Sequence, residues 1–123
     1  MSEAIIHSKI NALKTVLRDM QYRTTWKEDL LSKGDPKQFL IIFNFLFIQY
    51  NQLMNLYVVN KGYYLQTATD LEFMQQVFRF ISSEFSYKIA ISINDFFKNR
   101  FALQKLNMAL DISKLVRDKV KTL

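Results

Sequence analysis

One proline and two glycines punctuate a chain of 123 residues. A β fold of many short strands needs turn residues at every reversal, and this chain lacks them. The scarcity favours helices joined by short connections. Half of the residues are apolar and 15% are aromatic. A chain of this size buries roughly two thirds of its unfolded surface, so its helices can share a core without disulfide or metal staples. There are no cysteines and one histidine. That excludes disulfides, thiolate zinc, iron–sulfur clusters, thiol nucleophiles and multi-histidine metal sites. Two glycines are too few for a Gly-rich phosphate loop. Most enzyme classes are thereby removed, and no catalytic residue, metal or cofactor is expected.

Apolar periodicity and capping residues divide the chain into six or seven helices with no strand. The first runs from Ser2, a candidate N-cap, to about Gln21, with Ile6, Ile10, Leu13, Leu17 and Met20 on one stripe. Thr25 and Glu28 have capping-box spacing and open a short helix with Trp26, Leu30 and Leu31 inward. Gly34 suits the left-handed position that ends a helix, and Asp35-Pro36 suits the start of the next. The run Phe39–Ile48 is rich in β-branched and aromatic residues, which by propensity allows a buried strand. Its start signal and its length of about fourteen residues to Tyr50 favour a helix that is apolar on nearly all sides. The apolar stretch itself, Phe39–Tyr50, is twelve residues interrupted by Asn44 and Gln49, short of the ~20 that cross a bilayer. Asn51 caps a helix through Asn60 with Leu53, Leu56 and Tyr57 inward, and Lys61-Gly62 ends it. Residues 63–68 form a connection. Thr69 and Glu72 form a second capping box, followed by Phe73, Val77, Phe78, Ile81 and Phe85. A loop over 87–90 leads to a short helix over 92–99. The last helix begins near Arg100 and carries Ala102, Leu106, Ala109, Leu110, Val116 and Val120 on one face. It has no stop signal, which suggests a domain excised from a longer chain. No basic region followed by an apolar block marks a secretory signal near the N-terminus, and the lack of cysteine fits a reducing cytoplasm.

Little in the sequence carries catalytic chemistry. Lys33-Gly34-Asp35-Pro36 lacks the spacing of a phosphate loop and reads as one helix end followed by a helix start. His7 has no partner at metal-ligand spacing. The carboxylates Glu28, Asp35, Asp70 and Glu72 sit at helix starts, and Asp111 and Asp118 sit among lysines. The aromatics fall at core spacing, without an interleaved basic platform for stacking bases. The functional signal is charge: 17 Lys and Arg against 11 Asp and Glu give a net charge of +6. This favours an acidic partner. Lys114, Arg117 and Lys121 share one face of the last helix. Lys98, Arg100 and Lys105 lie near its start, and Lys14 and Arg18 lie one turn apart on the first helix.

Several segments resemble a known family. Leu30-Leu31-Ser32-Lys33-Gly34-Asp35-Pro36, Leu40-Ile41-Ile42 and Phe47-Ile48-Gln49-Tyr50 look like the N-terminal domain of the centrosomal protein of forty-four kilodaltons. So do Asp70-Leu71-Glu72-Phe73, Glu84-Phe85-Ser86-Tyr87-Lys88, Asp95-Phe96, Phe101-Ala102 and Lys105. The match runs in order over nearly the whole chain. The resemblance implies a single all-α, calponin-homology-like domain followed by coiled coil. It implies a microtubule-binding protein of the centrosome, centriole or basal body, in the cytoplasmic cytoskeleton and near cilia, that supports centriole assembly or integrity. On that reading the expected microtubule contacts are Lys114, Arg117 and Lys121, then Lys98, Arg100, Lys105, Lys14 and Arg18. Tubulin and other centriolar proteins are the expected partners, with no small-molecule substrate, specific nucleic acid or membrane. The alternative is an adaptor that docks another centriolar component through an apolar surface near Trp26, Tyr63 or Tyr64.

Overall fold

The computed structural model describes residues 3–123, so the expected Ser2 cap lies outside the described residues. These residues form seven α-helices and no strand: α1 Glu3–Asp19, α2 Glu28–Lys33, α3 Pro36–Asn44, α4 Gln52–Asn60, α5 Asp70–Glu84, α6 Ile93–Phe96 and α7 Ala102–Val120. A π-helical turn, Phe45–Gln49, continues α3. The all-helical expectation holds, and the ambiguous run at Phe39–Ile48 is helical.

Most boundaries follow local chemistry. Gly34 takes φ +81° and its N–H donates back into α2, closing that helix. The Asp35 carboxylate accepts from the Lys37 N–H and Pro36 occupies the first turn of α3. The Asn51 side chain accepts from the N–H groups of Leu53 and Met54 at the start of α4. Thr69 accepts from the Glu72 N–H at the start of α5, and Ser92 from the Asp95 N–H at the start of α6. The expected box at Thr25 does not form. Lys27 stands at the cap of α2 with no side-chain hydrogen bond, because the Glu28 carboxylate is taken by the Lys14 ammonium at 2.8 Å. The cap therefore stands two residues later than the motif indicates, at Lys27 rather than Thr25.

The π turn explains how three consecutive residues, Phe45, Leu46 and Phe47, are all buried. The Tyr50 N–H reaches back five residues to the Phe45 carbonyl at 2.8 Å. This widens the turn by one residue and carries the next side chains round the axis. Asn55 Nδ2 donates to the Phe47 carbonyl, supplying a partner for backbone near the helix end. The chain then bends by 88° into α4. No single described helix is both long and apolar enough to cross a membrane.

One apolar core runs through the molecule. α1 and α7 make its most extensive helix pair, burying Ile10, Leu13 and Leu17 against a helix that buries Leu106, Ala109, Ile112 and Val116. Phe80 of α5 is an aromatic hub. The rings of Phe47, Tyr57, Tyr63 and Phe85 meet it edge-on with centroids 5.3–6.1 Å away, within the range that favours edge-to-face pairs. Phe78 and Phe85, expected inward, are half-buried. Met74 and Phe80 fill the interior more completely than the expected stripe allowed. The largest departure is in α4: Met54 and Val58 are buried, while Leu53 and Leu56 face outward and Tyr57 is half-buried.

Candidate polyanion-binding surface

The first turns of α1 and α7 line one groove with α2, so the two long helices start from the same end of the molecule. Their last turns carry Arg18 and Lys114–Lys121 toward the other end. From Ala102 to Lys114 the helix rises by roughly 18 Å. Lys98 and Arg100 therefore sit well apart from Lys114, Arg117 and Lys121, and the expected cations divide into two groups.

Lys105 belongs to neither. It is fully buried, and its ammonium donates to the Gly34 carbonyl at 2.7 Å and the Lys98 carbonyl at 2.5 Å. The Phe96 ring lies 5.4 Å away. Burial pushes its pKa down to about 8, against the opposing pull of Asp35 and Asp95. It is a tie between the α2–α3 corner and the start of α7, and an external partner has no access to it. Sequence spacing gives no sign of this, because both acceptors are backbone carbonyls brought in by the fold.

The other expected residues reach the surface with different degrees of freedom. Lys14 is held by Glu28 and stands 5.7 Å from the Trp26 ring; the contact in turn lowers the Glu28 pKa. Lys98 pairs with Asp95 at 3.0 Å, and the Arg100 guanidinium lies 5.4 Å from the Phe101 ring. Asp118 sits between Arg117 at 3.2 Å and Lys121 at 4.0 Å. Arg18 and Lys114 are exposed and make no ion pair among the described residues.

Two further cations escaped the sequence reading. Lys119 stands 4.5 Å from the Tyr57 ring and Lys61 stands 5.5 Å from it. They meet only because α4 packs on α7. The apolar surface expected near Trp26, Tyr63 and Tyr64 is not where most exposed apolar area lies. Trp26 leans on Tyr22 and Tyr63 on Phe80, and of the three only Tyr64 is strongly exposed.

A groove of 870 Å³ at the α1–α2–α7 corner has His7, Glu28, Asp29 and Lys33 among its lining residues. A second, of 520 Å³, lies between α3 and the 65–70 connection. No group of three or more metal-ligating side chains occurs among the described residues.

Residues 6–123 match the model of a family described as "Centrosomal spindle body, CEP44". The chain belongs to this CEP44 family. Named relatives include the "Centrosomal protein of 44 kDa" of Xenopus tropicalis, 28% identical over 121 residues and 98% of this chain. The human protein of the same name is 27% identical over 123 residues, the whole of this chain. The chain spans 31% and 32% of the length of these curated relatives, respectively. The family is a centrosomal one, in agreement with the expected localisation. The buried Lys105 and the Gly34-Asp35-Pro36 corner it holds are among the residues on which the resemblance rested.

Proposed function

We propose that this CEP44-family chain is a non-enzymatic microtubule-binding module acting at the centriole or basal body. It would read acidic tubulin surfaces through Arg18, Lys114, Arg117 and Lys121, with Lys14, Lys98 and Arg100 as secondary contacts. The observation that supports this most is the set of cations toward one end of the α1–α7 pair, Arg18, Lys114 and Lys121 exposed and Arg117 partly so, on a chain of net charge +6. Lysines and arginines facing an acidic surface supply steering and much of the affinity, and their effect weakens as salt shortens the ~10 Å screening length. The helical arrangement also fits the calponin-homology likeness that the family implies, and support of centriole assembly or integrity would follow from attachment to the wall.

Co-sedimentation with taxol-stabilised microtubules at low and raised salt tests this, with and without the acidic tubulin tails. Pelleting should fall as salt rises. K114E/R117E/K121E should abolish it, while K98E/R100E should weaken it less. Pelleting that is unchanged in the triple variant would refute the assignment to α7. No pelleting of folded protein at low salt would refute the microtubule reading itself.

A further inference from the structure

We propose that the outward face of α4 docks an acidic amphipathic helix of a partner protein. α4 is apolar on two sides. Met54 and Val58 fill the core, yet Leu53, Leu56 and Val59 remain 52%, 47% and 49% exposed. They recur every three residues along one side of the helix and form a ridge roughly 9 Å long. They lie outside the packed core, and the half of each that faces water adds to one contiguous aliphatic row, the kind of patch that serves interaction.

The charges beside the ridge specify the occupant. Tyr57 follows Leu56 and lies one turn beyond Leu53. Lys119 and Lys61 both stand over its ring. Lys61 is 3.7 Å from Glu84, whereas Lys119 has no carboxylate within ion-pair distance among the described residues. Arg117 and Lys121 flank Lys119 by two residues on either side and so face away from the ridge, where they share Asp118. Against Lys61 and Lys119 stands one carboxylate, Glu84, so the rim is positive. An apolar ridge with a cationic rim complements a helix with leucines on one face and glutamates or aspartates along its edge. A second copy of this chain would bring like charges together on a protein already at +6, which opposes self-association. An anionic bilayer would answer the charge but would make no use of the three-residue spacing.

The probe is a synthetic helical peptide with leucines at spacings of three and four and glutamates beside them. Its control is a scrambled peptide of the same composition. Titration of the isotope-labelled chain should shift amides of Gln52–Lys61 and of the last turns of α7. The scrambled peptide should bind at least tenfold more weakly. L53Q/L56Q should weaken peptide binding tenfold or more, and K119E several-fold. Both leucines are half-exposed, so thermal melting should show the L53Q/L56Q variant folded. The variant keeps every charge, so its microtubule pelleting should persist; loss of peptide binding is thus separable from failure of the microtubule reading. The proposal is overturned by equal binding of the scrambled peptide, by an unchanged L53Q/L56Q affinity, or by shifts elsewhere. It is also overturned if the chain ignores the peptide yet binds phosphatidylserine vesicles, or forms a dimer in sedimentation equilibrium, through these leucines.

Discussion

Replacing Gly34 with alanine should be among the most damaging single-methyl additions to this molecule. Gly34 has φ +81°, and a Cβ there would overlap the Arg100 carbonyl. The obstacle is backbone and cannot rotate away, so the α2–α3 corner must move from the start of α7. That motion breaks the 2.7 Å bond from Lys105 Nζ to the Gly34 carbonyl. The left-handed conformation alone costs an L-residue ~1–2 kcal/mol. A hydrogen bond from a charged donor contributes ~1.5–3 kcal/mol. G34A should therefore cost about 2.5–5 kcal/mol, out of the roughly 6–18 expected for a chain of this length. Gly62 supplies the control, with φ +93° and nothing within 4 Å of its added Cβ. G62A should lose only the conformational ~1–2 kcal/mol. With an unfolding entropy of ~2.1 cal/mol/K per residue, the melting temperature should fall by about 10–19 °C for G34A and about 4–8 °C for G62A. Urea unfolding with unchanged m-values would confirm that both act on stability. A G34A variant that melts no lower than G62A would refute the close approach and the Lys105 tie together.

Two further outcomes follow from the caps and the titrating groups. T69A should lower stability by ~1 kcal/mol through loss of a working N-cap, whereas T25A should leave the urea midpoint nearly unchanged. Equal losses would mean that the Thr25 box forms after all. In alkali, Lys105 titrates near pH 8 in the folded chain against an ordinary 10.5. The native state therefore binds fewer protons than the unfolded state across that window, and stability should rise from about pH 8 toward 10. Tyr87 acts in the opposite sense. Burial, and its hydrogen bond to Asp111, raise its pKa above the ordinary 10.0, so stability should fall as pH passes 10. A urea midpoint that declines steadily from pH 8 would refute the Lys105 part.

Much of the helical order was legible because helix ends are written in short local motifs. Gly34-Asp35-Pro36, Asn51 and Thr69 each satisfy backbone groups within four residues, so neighbours in sequence suffice to read them. Thr25 failed because Glu28, its supposed partner, found Lys14 fourteen residues away. The facing of α4 failed for a related reason. In Leu53-Met54-Asn55-Leu56-Tyr57-Val58-Val59, apolar residues occupy every side of the helix, so periodicity cannot choose a face. The choice fell to the cap at Asn51 and the 88° bend that follows the π turn. Those fix the entry angle and leave Met54 and Val58 inward. The three-residue row that points out became visible only with the bend in place.

Charge was legible in amount but not in availability, and ion-pair energetics decide which cations count. An exposed pair contributes only ~0–1 kcal/mol, because water and side-chain entropy oppose it. Arg117 and Lys121 can therefore leave Asp118 for a denser acidic surface at little cost, and Lys98 can leave Asp95. Their partners do not remove them from the binding set. Lys105 differs in kind. Withdrawing its ammonium would strand the carbonyls of Gly34 and Lys98 and open the corner that both helices share. A buried polar group left without a partner costs ~1–3 kcal/mol, more than a rim contact returns. The same reasoning ranks the remaining candidates. Arg18 and Lys114 start without an ion pair among the described residues and have none to break on engagement, so they should contribute most per residue. Lys14 is shielded by Glu28 and Trp26 and should contribute least among the surface set.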